Sequence, residues 1–449
     1  MNLKRFLILA IFFFSAVNIF SQTTYVTVYN NDLGVIKEVR AVNAAAGKSV
    51  IRIADVPSRI DPTSVHIKFP GIILEQNYRY DLANMNTILD KYLGKEIKIA
   101  SDKGEKISGK LLSVNGNSLV LRRKKGGLLM LPDFSKYTLS VNKLPEGLIT
   151  KPTLEYLVES KSSGEKQIEL SFSTAGMNWH GEYVAVLNDS DTKINLNSWV
   201  SITNQSGADY KNAKLKLVAG DINRAQENKP MPVYMTAKSY DSESRPQIEE
   251  RAFFEYHIYD LPELTTLRNN EQKQIAFISG KNISAHKQFA YTCYLFNEEK
   301  KENAEVIITF ENSMKNNLGI PLPAGKIRLF KKDKNSLELI GEDYIKHTPK
   351  DEKILLKVGK AFDVLVSMTN TKRERITKRV TELTREIKIE NHKDKKIEVA
   401  INQIMQGDWK IISSNFDYKK KNSKSVKFII PVNADNSEVL KFTVRLKRD

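Results

Sequence analysis

The side chains able to do chemistry in this chain are few and far apart. Six histidines, His66, His180, His257, His286, His347 and His392, never fall within four residues of one another. The spacing that puts two metal ligands on one helix face or strand is therefore missing, and each reads as a solvated or core residue. Acidic pairs occur in NDSDT (188–192) and GEDY (341–344). The first has the composition of a hairpin turn, and a calcium loop needs a longer run of oxygen ligands. There is no glycine-flanked nucleophilic serine, no His-Glu-x-x-His, no phosphate-cradling loop and no dinucleotide fingerprint. These negatives predict neither a metal nor a cofactor. The lone Cys293, in the apolar run FAYTCYLF, has no partner for a disulfide within the chain and reads as a small core residue.

One polar loop stands out, in SWVSITNQSGADYKNAKLKLVAGD (198–221). Trp199, Ser201 and Thr203 alternate with Val200 and Ile202 as in a strand, Asn204-Gln205-Ser206-Gly207 supplies turn positions, and the chain re-enters a strand at Lys214. Asp209 and Tyr210 have the chemistry of a base and a phenol. No second carboxylate, cation or histidine stands beside them in sequence to shift their pKa values, so the loop reads as a turn. The competing possibility is a hydrolase site assembled from distant strands bearing Trp179, His180, Asp209 and Asp221.

The elements that would position these residues are mostly strands. In LKFTVRLK, Leu440, Phe442, Val444 and Leu446 face one way while Lys441, Thr443, Arg445 and Lys447 face the other, which predicts a sheet buried on one side. IELSF, KLKLV and KIEVAI repeat the pattern, with turn residues at short intervals. The fold class expected is mainly β: several antiparallel β-sandwich domains, a small barrel of the Sm or SH3 kind, and one short helix. The helix is DLANMNTILDKYLG (81–94), with Asp81 as its cap, Gly94 as its stop, and Leu82, Met85, Leu89 and Tyr92 on one face. The barrel follows as about five strands split by Lys103-Gly104, Asn115-Gly116 and Gly126-Gly127. TKRERITKRVTELTREIKIE (371–390) has helix-like apolar spacing, but its threonines favour a long exposed strand. Residues 225–251, rich in Pro, Ser and charge, predict a loop or excursion from the sheet.

Lys4 and Arg5 precede the apolar run 6–14, a pattern that predicts a secretory leader cleaved after Ser21 and too short to span a bilayer. Losing it leaves 428 of 449 residues and lowers the formal charge of +17 by the two residues Lys4 and Arg5, to +15. Five segments are expected: the leader (1–21), an N-terminal β domain (22–80), the helix and small barrel (81–145), a central sandwich region (146–370) and an immunoglobulin-like sandwich (371–449). Outside the cytoplasm the positive charge points to anionic envelope polymers or lipid head groups, not to nucleic acid, and the partner expected is an envelope protein or an anionic glycan. The basic runs RRKKGG (122–127), FKKDKNS (330–336) and YKKKNSKS (418–425) read chiefly as charged hairpin turns. Arg122, Arg123, Lys124 and Lys125 are the candidate contacts to an anionic surface.

Several of these segments carry a resemblance. WVSITNQSGADYKNAKLKLVAGD, with GMNWHGEYVAVL before it and FFEYHIYDLPELTTLRNNEQKQIAF, LGIPLPAGKIRLF and GEDYIKHTPKDEKILLKVGKAFDV after it, resembles the bacterial family known as domain of unknown function 4139, from about Thr150 onward. Its motif residues here are Trp179, Trp199, Asn204, Gly207, Ala219, Gly220, Pro321, Pro323 and Gly325, which read as structural. VTVYNNDLGVIKEVRAV and GKSVIRIADVPSRIDPTSVHIK resemble the N-terminal domain found with that family in mucoidy inhibitor relatives. Those relatives have a long helical insertion where this chain has the small barrel, so their implied link to capsule control transfers poorly. The resemblance implies a β-rich architecture and brings no catalytic residues. Together these readings predict a non-enzymatic binding or scaffolding protein of the cell envelope, with a hydrolase of an envelope polysaccharide or peptide as the alternative.

Overall fold

A computed structural model of the chain describes residues 24–102, 104–220, 222, 249–254, 256–296 and 301–447. Residues 1–23, which include the expected leader, and most of segment 225–251 lie outside the described residues. Strands dominate, with one α-helix, so the protein is mainly β. Burial follows the alternation read from the sequence: in the last strand, Asn436–Lys447, Leu440, Phe442 and Val444 are buried while Lys441 and Arg445 are exposed.

Among the described residues the strands form four sheets, of thirteen, eight, five and three strands. Most neighbours are antiparallel, but three pairings are parallel: Thr24–Tyr29 with Tyr210–Ala219, Met177–Leu187 with Gly325–Asp333, and Glu271–Tyr294 with Ile397–Ile404. The expectation of antiparallel sandwiches is corrected to that extent. A period of two tells which face of a strand is buried and is silent on the direction of its neighbour.

Among the described residues the apolar side chains gather in three large cores and one small cluster of Ala290, Ile307 and Ala400. The first packs the eight-stranded, three-stranded and part of the thirteen-stranded sheet together, through residues such as Ile36, Tyr156, Phe172, Trp179, Leu215 and Ile327. A second fills the C-terminal sandwich, around Phe428, Phe442, Ile387 and Val366. Two unusually long strands, Glu271–Tyr294 and Lys353–Arg375, run through both: Ile283 and Leu356 lie in the first core, Cys293 and Val364 in the second. The C-terminal core thus draws on residues well before position 371.

The third core belongs to the inserted unit, where Leu89 and Tyr92 pack on Ile97, Ile99, Leu111 and Leu121. Its helix is Met85–Lys91, shorter than expected, and its cap is Asn84, not Asp81. Asn84 Oδ1 accepts the Thr87 N–H at 3.1 Å and Thr87 Oγ1 accepts the Asn84 N–H at 3.0 Å, a reciprocal capping box. Asp81 instead pairs with Lys91 at 3.6 Å. The sheet runs Tyr137–Ser140, Glu96–Ser101, Lys106–Asn115, Ser118–Arg123, Leu128–Leu131, and its two four-residue edge strands do not pair. The small barrel is therefore an open sheet, covered on its inner face by the helix and Phe134.

Sequence 371–390 is not the one long exposed strand expected: residues 376–379 turn it into a hairpin between Lys353–Arg375 and Val380–Asn391, and Leu383, Ile387 and Ile389 of the second strand are buried. NDSDT is the turn joining Met177–Leu187 to Lys193–Asn204. In it Asp191 takes the left-handed region at φ 59°, and its carboxylate binds Lys287 Nζ at 2.7 Å and Lys331 Nζ, each from a different strand. Burial opposes the carboxylate's charge, but the two lysines outweigh it and hold its pKa below the usual range. A depressed pKa contributes stability above the unfolded value, near 3.9, that is lost as pH falls through the folded one. Asp191→Asn keeps a residue suited to the turn, so at pH 7 it is expected to lose about 1–3 kcal/mol. The deficit should shrink below pH 4 in chemical denaturation, and equal deficits at both pH values would refute the pairing.

Candidate functional site

The polar loop proves to be a corner between sheets. Lys193–Asn204 belongs to the thirteen-stranded sheet and Tyr210–Ala219 to the eight-stranded one, so the two strands do not pair, and the second begins at Tyr210, four residues before Lys214. Asn204, 1% exposed, organises the corner. Its Nδ2 donates to the carbonyls of Ala208 (2.9 Å) and Leu267 (3.3 Å), and its Oδ1 accepts from the Ser206 N–H (3.1 Å) and hydroxyl (2.8 Å). Gly207 sits at φ 93°, and a Cβ there would lie 2.0 Å from Ser58 Oγ. The Asp209 carboxylate is taken up by the Asn269 N–H at 2.8 Å, while the Tyr210 hydroxyl lies 3.1 Å from Ser206 Oγ and has its pKa raised by burial.

This corner is tied to the N-terminal segment. The Arg59 N–H donates to Ser206 O (3.0 Å), the Gln205 N–H to Gly176 O (2.6 Å), and the Gly176 N–H to Asp32 Oδ1 (2.7 Å). Gly176 has φ 84°, and a Cβ on it would stand 2.4 Å from Gln205 O. Only glycine allows that approach.

The remaining motif residues are also joints. Trp179 is buried, with Nε1 donating to Val218 O at 3.1 Å, whereas Trp199 faces outward and is partly exposed. Ala219 pairs across from His257. The carbonyl of Pro321 accepts the Tyr259 hydroxyl (3.1 Å) and that of Pro323 the Tyr183 hydroxyl (2.7 Å). Gly325 lies opposite Gly181 in the parallel pair, where a Cβ would meet Gly181 O at 1.9 Å. At Gly220, φ 135°, a Cβ would meet the Tyr256 ring at 2.5 Å.

Of the residues named for a hydrolase, Trp179, His180 and Asp209 are each engaged elsewhere. Trp179 is buried at the sheet interface, His180 bonds Glu182 (3.1 Å), and Asp209 serves the corner. Asp221 lies outside the described residues. Glu182 continues to Arg328 (2.8 Å) and Arg328 to Glu342 (2.8 Å), a solvent-facing ladder across neighbouring strands. Among the described residues no three His, Cys, Asp or Glu side chains gather as they would around a metal ion. Cys293 is buried, donates to Gln403 Oε1 at 3.2 Å, and has its thiol pushed up to about 11 by burial. Arg122, Arg123, Lys124 and Lys125 form an exposed hairpin turn in the insertion, where Lys124 is neutralised by Glu96 at 2.6 Å. One cavity, of about 780 Å³, lies between Tyr78, Tyr80, Asn84, Lys91 and Gly147; another, of about 310 Å³, lies beside Tyr25, Lys214, Asp260 and Glu263.

The sequence profile described as Domain of unknown function (DUF4139) matches residues 168–446, more than half of the chain. The protein belongs to the DUF4139 family. No curated protein matches this sequence. The match begins inside the strand Gly164–Thr174, whose two partners, Gly34–Ala44 and His66–Lys68, both precede the DUF4139 segment.

Behind the DUF4139 corner lies a charged pair missed in the sequence. Glu38, 6% exposed, stands 2.8 Å from Arg40 Nη2, but off the line of a good hydrogen bond, so its Oε1 lacks a hydrogen-bond donor. Burial raises the carboxyl's pKa, and Arg40 offsets this only in part. The signal was present in GVIKEVRAV, where Ile36, Glu38, Arg40 and Val42 share the parity of the buried face.

Two outcomes follow for this region. Asn204→Ala leaves buried carbonyls and a hydroxyl without partners, and is expected to cost about 1–3 kcal/mol in denaturant unfolding; an unchanged midpoint would show the corner to be dispensable. For Glu38, a folded pKa above the unfolded value means stability that is full at low pH and falls as pH rises through the folded pKa. Glu38→Gln removes that loss, so its melting temperature should rise relative to wild type from pH 4 to pH 8. Parallel curves would mean that Arg40 compensates the charge completely.

Proposed function

We propose that this DUF4139 protein is an exported, non-enzymatic binding or scaffolding module of the bacterial cell envelope, carried out of the cytoplasm by its N-terminal leader. Its N-terminal strands correspond, in this reading, to the domain found with the family in mucoidy inhibitor-like proteins. Its partner is an envelope protein or an acidic glycan, bound without cofactor or nucleic acid. One observation carries the reading: most of the residues that mark the family are spent on joints. Asn204, Gly207, Trp179, Pro321, Pro323 and Gly325 each hold backbone or fill a close approach. Residues used in this way preserve the relative placement of sheets and so of the surfaces those sheets present.

A hydrolase of an envelope polysaccharide or peptide is the second reading, and Glu38 is what favours it, since a carboxyl with a raised pKa is suited to general-acid work. That carboxyl lines neither of the two cavities described above. Gentle crosslinking in the native envelope followed by purification is expected to recover a protein or an acidic polymer bound to the chain. Release of reducing ends or free amino groups from an envelope polymer by the purified protein, abolished in Glu38→Gln, would overturn the binding reading in favour of the enzyme.

A further inference from the structure

Two basic turns distant in sequence meet at one end of the C-terminal sandwich. The first closes the hairpin between Lys353–Arg375 and Val380–Asn391, where residues 372–379 hold five basic side chains and one acidic. The second closes the hairpin between Tyr418–Asn422 and Ser425–Val432, where residues 419–424 hold four basic side chains and no acidic one. Strand register brings them together. Thr381, two residues past the first turn, lies opposite Leu446, and Leu446 lies opposite Trp409. Trp409 is bound to the second turn, its Nε1 donating to Ser423 O at 2.6 Å and its ring lying 4.6 Å beneath Lys420 Nζ. Two strand spacings, about 10 Å, therefore separate Thr381 beside the first turn from Trp409 beside the second.

The charge at this end is poorly compensated. Glu374 is taken by Lys372 (2.6 Å) and Glu382 by Arg445 (2.6 Å). Arg373, Lys378, Arg379, Lys419, Lys421 and Lys424 are exposed and in no ion pair among the described residues. Arg375 braces its own turn, donating to the carbonyls of Thr377 and Lys378 at 3.3 Å. Like charges face each other directly at Lys419 and Lys427 and at Lys410 and Arg445. Such oppositions weaken a sheet. Burial, and then the nearby Lys421 and Lys353, hold the Lys427 ammonium below the usual lysine range. In the other basic turns one cation is paired likewise, Lys124 with Glu96 and Lys331 with Asp191.

We infer that this end of the C-terminal sandwich is a binding surface for a linear acidic polysaccharide, with carboxylates of successive sugars lying across Arg373, Lys378 and Arg379 on one turn and Lys419, Lys421 and Lys424 on the other. The inference rests on the envelope-binding reading and gives it a site. A polymer suits the geometry, because the cations sit on two exposed turns and not in a pocket, and an extended polyanion spans both. A bilayer suits it less, because the first turn carries one apolar side chain, the half-exposed Ile376, and the second carries none.

The test uses the mature chain and polygalacturonate as probe, with dextran and phosphatidylglycerol vesicles beside it. Wild type is expected to bind polygalacturonate, more weakly as salt rises, and to ignore dextran. Replacing Arg373, Lys378 and Arg379 by Gln together with Lys419, Lys421 and Lys424 by Gln should weaken binding at least about tenfold, the rim charges acting mostly through electrostatic attraction. A Lys→Arg version of the second turn should retain it. Replacing Arg122, Arg123 and Lys125 by Gln removes charge elsewhere and should change affinity less than about twofold. Equal losses in both sets would reduce the effect to net charge, and binding to the vesicles alone would make this end a membrane contact; either result overturns the inference. A partner recovered by crosslinking, together with no retention on polygalacturonate, would sink this site and leave the binding module standing.

Discussion

The indole of Trp179 is the contact on which the arrangement of the two large sheets depends. It projects from the thirteen-stranded sheet, donates to Val218 O in the eight-stranded sheet, and meets the Tyr259 ring edge-on at 5.9 Å. Tyr259 in turn meets Phe277 of the thirteen-stranded sheet edge-on at 5.1 Å. Aromatic edges and faces interlocked in this way add directional attraction to a large buried area. Each polar tip also has a carbonyl to bind, at Val218 and Pro321. The close approach of Gly181 to Gly325 lies in the same strand pair as Trp179, so the backbone contacts and the aromatic contacts reinforce each other.

The sequence disclosed this architecture unevenly, and the reasons are physical. Alternation in LKFTVRLK and KIEVAI was legible because one face of each strand is buried. Strand direction was not, since a side chain's parity is the same beside a parallel or an antiparallel neighbour. The turn 204–207 was recognisable from Asn and Gly, yet its role as a corner was hidden, because composition does not say which sheet a strand enters next. Asp81 competed with Asn84 for the helix cap, and Asn84 has Thr87 three residues on, which completes a reciprocal pair. Glu38 was overlooked because a charged residue in a strand is read as outward by default; only the parity of Ile36 and Val42 points it inward.

Long strands make the two main cores mechanically continuous. Glu271–Tyr294 and Lys353–Arg375 are each several times the usual strand length of about 5–6 residues. Lys353–Arg375 has irregular registers between the cores, where 303–305 and 306–307 of the strand Glu302–Glu311 meet it, and Glu271–Tyr294 has them within the first core, where it meets Lys193–Asn204. Bulges of this kind bend a strand and raise its twist without breaking it. A strand that turns from one core into the next transmits position well, which is what a scaffold requires of its framework.

The DUF4139 segment and the unit that must fold are different stretches of chain. Among the described residues, the strands that pair with Gly164–Thr174, where the family match begins, are Gly34–Ala44 and His66–Lys68, both of which precede it. Tyr210–Ala219, deep in the segment, takes Thr24–Tyr29 as a parallel neighbour from Lys214 to Val218. Take the N-terminal strands away and one strand loses both partners while another becomes an unprotected edge, a form that invites pairing with other chains. The corner would lose Arg59, Asp32 and Ser58 at the same stroke. The N-terminal strands are therefore structural members of the family domain in this protein, and any surface that the domain presents is placed by residues lying outside the family's own boundaries.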